Sequence, residues 1–293
     1  MLGDTSMRLV FVHGIHEEHK APAALRQVWE NALLSAWTTA GLPRPNYTLE
    51  MPYYGNLLAN LAERVRGAVR GMISESGISG TFTRIEHALI HEIGRMMGID
   101  EAQLSAELAE DVVRSDFAGC EWVQGTVRVL ERDIPGFGPL LLRFTRQVDA
   151  YLTCPEIRAA IDNVVRPSLL HGPTVIVAHS LGSIVAYRLL REAAGEAEVP
   201  LFVTLGSPLG IRAIKNRLNP PSLAVPPTVK TWLNATDERD CVALHARLDR
   251  DTFADGIENI ADVCHASDNP HAIADYLGHV TVAGRIHAAL AEA

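Results

Sequence analysis

The chain has 293 residues, of which 47% are hydrophobic and 21% charged, so it is long enough to bury one large core. Its 26 basic residues are outnumbered by 35 acidic ones, for a net charge of -9, and no stripe of Lys or Arg stands out. Nucleic-acid binding needs concentrated positive charge, so that class of partner is excluded from the expectations.

In chain order, Met1 to Ser6 is polar and leads straight into a strand, with no basic and then apolar leader, so a cytoplasmic protein is expected. Later apolar stretches are short and broken by charges, and no transmembrane segment is predicted. Cys120, Cys154, Cys241 and Cys264 are widely spaced without a Cys-x-x-Cys pair, which reads as reduced thiols.

Arg8 to Val12 is a buried-strand run that ends in His13-Gly14-Ile15. A glycine there lets the backbone turn sharply and present N–H groups at the end of the strand. Ile15 or His16 would supply one such donor, and His13 is expected to orient the loop by hydrogen bonding rather than act as a base. Tyr47 to Met51 reads as a second strand, followed by Pro52-Tyr53-Tyr54-Gly55.

Residues 57–150 then look like an α-helical insertion into a core made of 1–56 and 151–293. Helical patterns cover Leu57 to Ile73, Thr83 to Met97, Glu101 to Ser115 and Cys120 to Glu131. Gly-rich breaks around Gly77, Gly80, Gly136 and Gly138 punctuate them and are candidate hinges. Such an excursion suits a cap or lid over an active site, or a surface for a protein partner. Its apolar set Ile85, Leu89, Ile93, Met96 and Met97 is expected to pack on the core. His87 and His91 share a helix face beside Glu92, but the glutamate does not directly follow the first histidine as in a zinc protease, so no metal site is expected.

Cys154 to Leu170 reads as the helix before the most informative stretch, Val175-Ile176-Val177-Ala178-His179-Ser180-Leu181-Gly182-Ser183. A β-branched run breaks at a small-His-Ser-Leu-Gly corner and continues as an amphipathic helix through Ile184, Val185, Tyr187, Leu189 and Leu190. Strand, one-residue corner and helix are the setting of a nucleophile elbow. The corner strains the serine backbone, so its neighbours two residues away must be small, as Ala178 and Gly182 are. Ser180 Oγ would then lie at a helix N-terminus, where N–H groups and the helix dipole favour negative charge.

The strand from Thr228 to Asn234 precedes two carboxylates, Asp237 and Asp240. A triad acid sits on a loop turned in toward the histidine. Asp240 is favoured because Cys241-Val242 would draw its segment onto the protein, whereas Asp237 lies in a charged cluster and reads as more solvated. Four histidines follow: His245, His265, His271 and His279. The turn Ser267-Asp268-Asn269-Pro270-His271 leads into a helix that would bury Ile273, Tyr276, Leu277, Val280 and Val282, with Asp268 or Asn269 as its cap. That favours His271 on a loop rim, with His265 at the end of a strand-like segment as the runner-up and His279 mid-helix.

Ser180, Asp240 and His271 run in the order serine, acid, histidine, which is the order of α/β-hydrolases. The chain resembles that superfamily, and its lipase-like branch in particular, through the His13-Gly14 loop, the Ala178-His179-Ser180-Leu181-Gly182 elbow, Leu205-Gly206-Ser207-Pro208 and Glu238-Arg239-Asp240-Cys241-Val242. The resemblance covers about residues 7–54 and 155–293 and departs from the usual pattern at Ala178 and Cys241. It implies a three-layer α/β-hydrolase with a mostly parallel central sheet, and a serine hydrolase that cleaves carboxylic esters through an acyl-enzyme. Backbone donors of Ile15 and Leu181 would form the oxyanion hole, with no cofactor and no metal. The substrate would be a small-molecule or lipid-like acyl ester. Amide or peptide hydrolysis on the same triad, and a regulatory or binding protein on a hydrolase scaffold, are the alternatives.

Overall fold

The structure, a computed structural model, describes residues 7–15, 17–64, 82–100, 102, 118–193, 195, 197–219, 222–264 and 269–292. Six strands form one all-parallel sheet: β1 (Met7–Val12), β2 (Tyr47–Glu50), β3 (Thr174–His179), β4 (Val199–Leu205), β5 (Val229–Ala235) and β6 (Ile257–Ile260). Their order across the sheet is β2-β1-β3-β4-β5-β6. The central strands are apolar on both faces because helices cover both, as parallel sheets require. Along β1, Val10 and Val12 face one core while Leu9 and Phe11 face the other; in β3, Ile176 and Ala178 alternate with Val175 and Val177 in the same way.

One helical layer consists of α1 (Pro22–Thr39) with the C-terminal pair α8 (Ile273–Gly278) and α9 (Val280–Ala291). Trp29, Leu33 and Trp37 of α1 are buried there against Tyr276, Leu277 and Ala283, and Trp37 Nε1 donates to the Ala283 carbonyl at 2.8 Å. The other layer holds α5 (Pro155–Leu169), α6 (Leu181–Glu192) and α7 (Arg212–Leu218). Prolines begin both α1 and α5, where a missing N–H costs nothing. The result is a three-layer α/β fold.

The described part of the insertion has a helical stretch over 55–64, then α2 (Arg84–Met96), α3 (Ala118–Asp133) and α4 (Phe137–Thr153). Thr83 and Glu86 close a capping box at the start of α2. The sequence reading missed α4, because Pro135, Gly136, Gly138 and Pro139 hide its start. Gly136 is left-handed (φ 86°), and both its N–H and that of Gly138 donate to the Glu131 carboxylate, at 2.9 and 2.8 Å. That carboxylate takes the place of a side-chain cap. The helix runs without a break past residue 150, the boundary drawn from sequence. Gly77 and Gly80, and most of the expected helix over 101–115, lie outside the described residues.

Ile85, Leu89 and Ile93 of α2 and Phe144 and Val148 of α4 join the same hydrophobic core as Leu181 and Ile184 of α6. The insertion therefore packs on the face of the sheet that carries the helix after the serine. Met96 does not share in this, being 53% exposed. Among the described residues no helix is long and apolar enough to cross a membrane.

The C-terminal segment corrects the sequence reading in three places. Among the described residues no side chain caps α8, which starts at Ile273; Asn269 Oδ1 instead accepts the His271 N–H at 3.1 Å. His279 is not mid-helix but the residue between α8 and α9. Val280 is 54% exposed rather than buried, whereas Tyr276, Leu277 and Val282 are buried as expected.

Candidate functional site

Strand order decides where the candidate residues meet. The chain passes from β1 to β2 on one side and returns to β3 on the other side of β1. The loops after β1 and β3 therefore diverge, and the crevice between their C-terminal ends is where open α/β sheets bind ligands. Gly14 follows β1 and Ser180 follows β3.

Ser180 has φ 54° and ψ -127°; with His19 it is one of two non-glycine residues of positive φ among the described residues. Such a conformation costs about 1–3 kcal/mol and persists only where surrounding packing enforces it. The enforcement is visible. Ser180 N donates to the Leu205 carbonyl at the end of β4 (3.1 Å), and Ser183 Oγ donates to the Ser180 carbonyl (2.6 Å). Ser183 Oγ also meets Ser207 Oγ at 2.8 Å, so Ser207 is the donor in that pair. A Cβ on Gly182 would lie 2.3 Å from the Val12 carbonyl oxygen, and one on Gly14 would lie 2.6 Å from Ser180 Cβ. Gly182 needs to be glycine because two backbones pass in contact, and Gly14 because its backbone passes against the Ser180 side chain.

Leu181 is the first residue of α6, so its N–H has no carbonyl four residues back within the helix. Ile15, 7% exposed, follows the glycine packed on Ser180. His16 lies outside the described residues. The His13 ring is fully buried and stacks on Tyr54 with centroids 4.0 Å apart. Its Nε2 accepts the Tyr54 N–H at 3.1 Å, so Nδ1 carries the proton and donates to the Gly14 carbonyl at 2.8 Å. The Tyr54 hydroxyl donates to the His13 carbonyl. Burial lowers the imidazole to about 4, so it is neutral and braces this loop.

Asp240 and His271 come together. Their Oδ2 and Nδ1 atoms are 2.8 Å apart, the Asp240 side chain is fully buried, and that of His271 is 10% exposed. Asp240 Oδ1 accepts the Val242 and Ala243 N–H groups at 2.9 and 3.3 Å. The Tyr276 hydroxyl donates to Oδ2 at 2.7 Å. Gly206, at φ 53°, lies against the pair: a Cβ there would be 2.7 Å from Asp240 Oδ2 and 3.1 Å from His271 Nδ1.

His179, next to Ser180, donates from Nε2 to the His271 carbonyl at 3.1 Å, and the two rings lie 4.4 Å apart. Ser180 Oγ and His271 Nε2 are both buried and make no hydrogen bond among the described residues.

Asp237 departs from its expected solvation. It is only 3% exposed, as buried as Asp240, but its oxygens are held by its own loop: Oδ1 accepts the Arg239 N–H at 2.8 Å and Oδ2 lies 3.1 Å from the Arg239 guanidinium. His245 lies elsewhere, with Nε2 3.9 Å from Glu92 Oε1 and its ring packed on Gly210. His265 lies outside the described residues. The His87 and His91 rings are near-parallel at 6.4 Å, and among the described residues no three His, Cys, Asp or Glu side chains converge as a metal site.

A cavity of about 450 Å³ lies between the Glu18–His19 turn and the insertion, lined also by Thr83, Arg143, Gln147 and Asp149. Ser180, Asp240 and His271 do not line it. Burial beside Glu86 raises the Asp149 carboxyl to about 6.

Sequence reasoning missed Tyr276, His179 and Gly206 as parts of this site. Gly206 carried a signal, since it lies in the segment Leu205-Gly206-Ser207-Pro208 directly after a strand. Tyr276 carried none beyond its apolar spacing on a helix. Comparison of the chain with protein-family models and with curated protein sequences finds no match.

Proposed function

We propose that the chain is a serine hydrolase of the α/β-hydrolase type that cleaves carboxylic esters, with Ser180 as nucleophile, His271 as base and Asp240 as acid. One observation carries the reading. At the switch point of a parallel sheet, a strained and buried serine hydroxyl shares a loop cluster with a buried imidazole nitrogen, and among the described residues neither has a hydrogen-bond partner. The other nitrogen of that imidazole is bonded to a buried carboxylate. Each unsatisfied buried polar group costs about 1–3 kcal/mol, in addition to the backbone strain, and such costs cluster where chemistry needs them.

In this mechanism Ser180 Oγ attacks the ester carbonyl while His271 Nε2 takes its proton. Asp240 fixes the proton on Nδ1 and stabilises the imidazolium as it forms. The Leu181 and Ile15 N–H groups stabilise the tetrahedral oxyanion. His271 then gives the proton to the leaving alkoxide, and the alcohol departs to leave an acyl-Ser180 ester. Water, deprotonated by the same imidazole, attacks that ester and releases the carboxylic acid and the free serine.

The insertion is read as a cap. Supporting this, its helices lie on the α6 face of the sheet, and Glu92 of α2 accepts the Arg212 N–H at 2.8 Å, joining the insertion to the segment after β4.

The test is labelling with a fluorophosphonate, followed by turnover of acyl esters of graded chain length and of matched amides. Labelling at Ser180 with ester turnover is expected. Faster turnover of the amides would reassign the bond cleaved, and absence of both labelling and turnover would favour a binding protein on this scaffold.

A further inference from the structure

We propose that Tyr276 is a positioning residue that sets the basicity of His271 through Asp240; the inference rests on the triad reading above. Among the described residues, Asp240 has four hydrogen-bond donors around its carboxylate, two on each oxygen. Three of them are the Val242 and Ala243 amides and the His271 imidazole. The fourth is a phenol from α8, five residues beyond the histidine, and it shares Oδ2 with the imidazole at almost the same distance, 2.7 against 2.8 Å.

The Tyr276 oxygen is used twice. While donating to Asp240 it accepts the Asp237 N–H at 3.1 Å, so one buried hydroxyl ties both ends of the acid loop to the helix that follows the base. Burial, then the neighbouring Asp240 charge, hold the phenol well above its ordinary range, so it remains a donor wherever the enzyme would work.

A donor on a carboxylate oxygen draws charge from it. With the phenol in place, Asp240 Oδ2 is a weaker partner for the imidazolium than the same oxygen facing His271 alone. Tyr276 thus keeps the pair aligned and holds down the basicity of Nε2, which lets the imidazole release its proton to the leaving group. Among the described residues, the other titratable groups beside this cluster are His179, whose ring lies 4.4 Å from that of His271, Cys241, whose thiol feels the Asp240 charge, and Asp237, paired with Arg239 on the same loop. All of these remain in a Tyr276 variant.

The experiment follows the His271 imidazole by NMR titration in the full chain, with the Nδ1 proton resonance and the pH profile of kcat/KM measured alongside. In Tyr276→Phe the His271 midpoint and the acid limb of the profile should move up by roughly half to one pH unit, the share of a charge-assisted hydrogen bond that differs between the two protonation states. A phenol that only filled space would leave both where they are. Replacing Tyr276 with 3,5-difluorotyrosine keeps the shape and strengthens the donor, so the midpoint should move down. This second variant decides the matter if Tyr276→Phe does not fold. An unchanged or oppositely moved midpoint in the folded variant overturns the proposal. Because the NMR midpoint needs no turnover, loss of the hydrolase reading would appear separately, as absent labelling of Ser180.

Discussion

Gly206→Ala should damage the acid–base half of the candidate site directly, because the new methyl group falls on Asp240 and His271. The residue is at φ 53°, a conformation costing an L-residue about 1–2 kcal/mol, and its new Cβ would fall 2.7 Å from Asp240 Oδ2 and 3.1 Å from His271 Nδ1 and Cε1. Those atoms are not the free end of a flexible chain. The Asp240 carboxylate is fixed by four hydrogen bonds and the His271 ring is packed on His179, so relief requires the pair to move by roughly half an ångström or more inside a close-packed interior. A misplacement of about 1 Å costs on the order of 10²-fold in rate. We therefore expect the variant to lose between ten- and a hundredfold in kcat/KM for an activated ester, with fluorophosphonate labelling slowed in parallel and stability reduced by about 1–3 kcal/mol. The control is Gly284→Ala in α9, where a Cβ meets nothing within 4 Å and the helix should gain about 0.5–1 kcal/mol. Turnover by Gly206→Ala within threefold of the parent would refute the placement of the acid–base pair beside this glycine.

Ser180→Ala should abolish ester turnover and probe labelling while unfolding remains cooperative, checked by denaturation. Asp240→Asn and His271→Ala should each lower turnover by about 10³- to 10⁴-fold, against tenfold or less for Asp237→Asn, whose oxygens serve the Arg239 turn; steady-state kinetics separates them. His13 has a folded value near 4 against 6.5 unfolded, so the unfolded chain binds the extra proton: its contribution is complete above about 6.5 and is lost as pH falls toward 4, on the order of 3 kcal/mol. Asp149, raised to about 6, acts in the opposite sense and costs stability as pH rises through that range, so urea midpoints at pH 7 and 4.5 must be compared between the parent and His13→Gln, which should lose less on acidification. Glu92→Ala, which cuts the tie to the Arg212 amide, should alter KM and chain-length preference severalfold while a small fluorophosphonate still labels Ser180 within twofold; equal effects on both would count against a cap.

The features legible in the sequence are those set by neighbours along the chain. The apolar runs at 9–12 and 175–178, the small residues around Ser180, and the prolines opening α1 and α5 each act within a few residues, through sterics and backbone hydrogen bonding. They announce a parallel α/β core and a strained serine without reference to anything distant. The start of α4 was hidden because Gly136 and Gly138 read as a break, and it is Glu131, in the preceding helix, that caps them.

What only the tertiary structure decided are the choices between chemically equivalent residues. Asp237 and Asp240 are three apart, equally charged and equally buried; the difference is that the Asp237 oxygens turn to Arg239 while Asp240 Oδ2 meets an imidazole 31 residues on. The strand order that sets Gly14 against Ser180 joins residues 166 positions apart, and Tyr276 acts because α8 folds back onto the acid loop. Periodicity along a chain encodes which face is buried. It does not encode which buried groups become each other's partners, since that is settled by crossover and packing between elements whose sequences never meet.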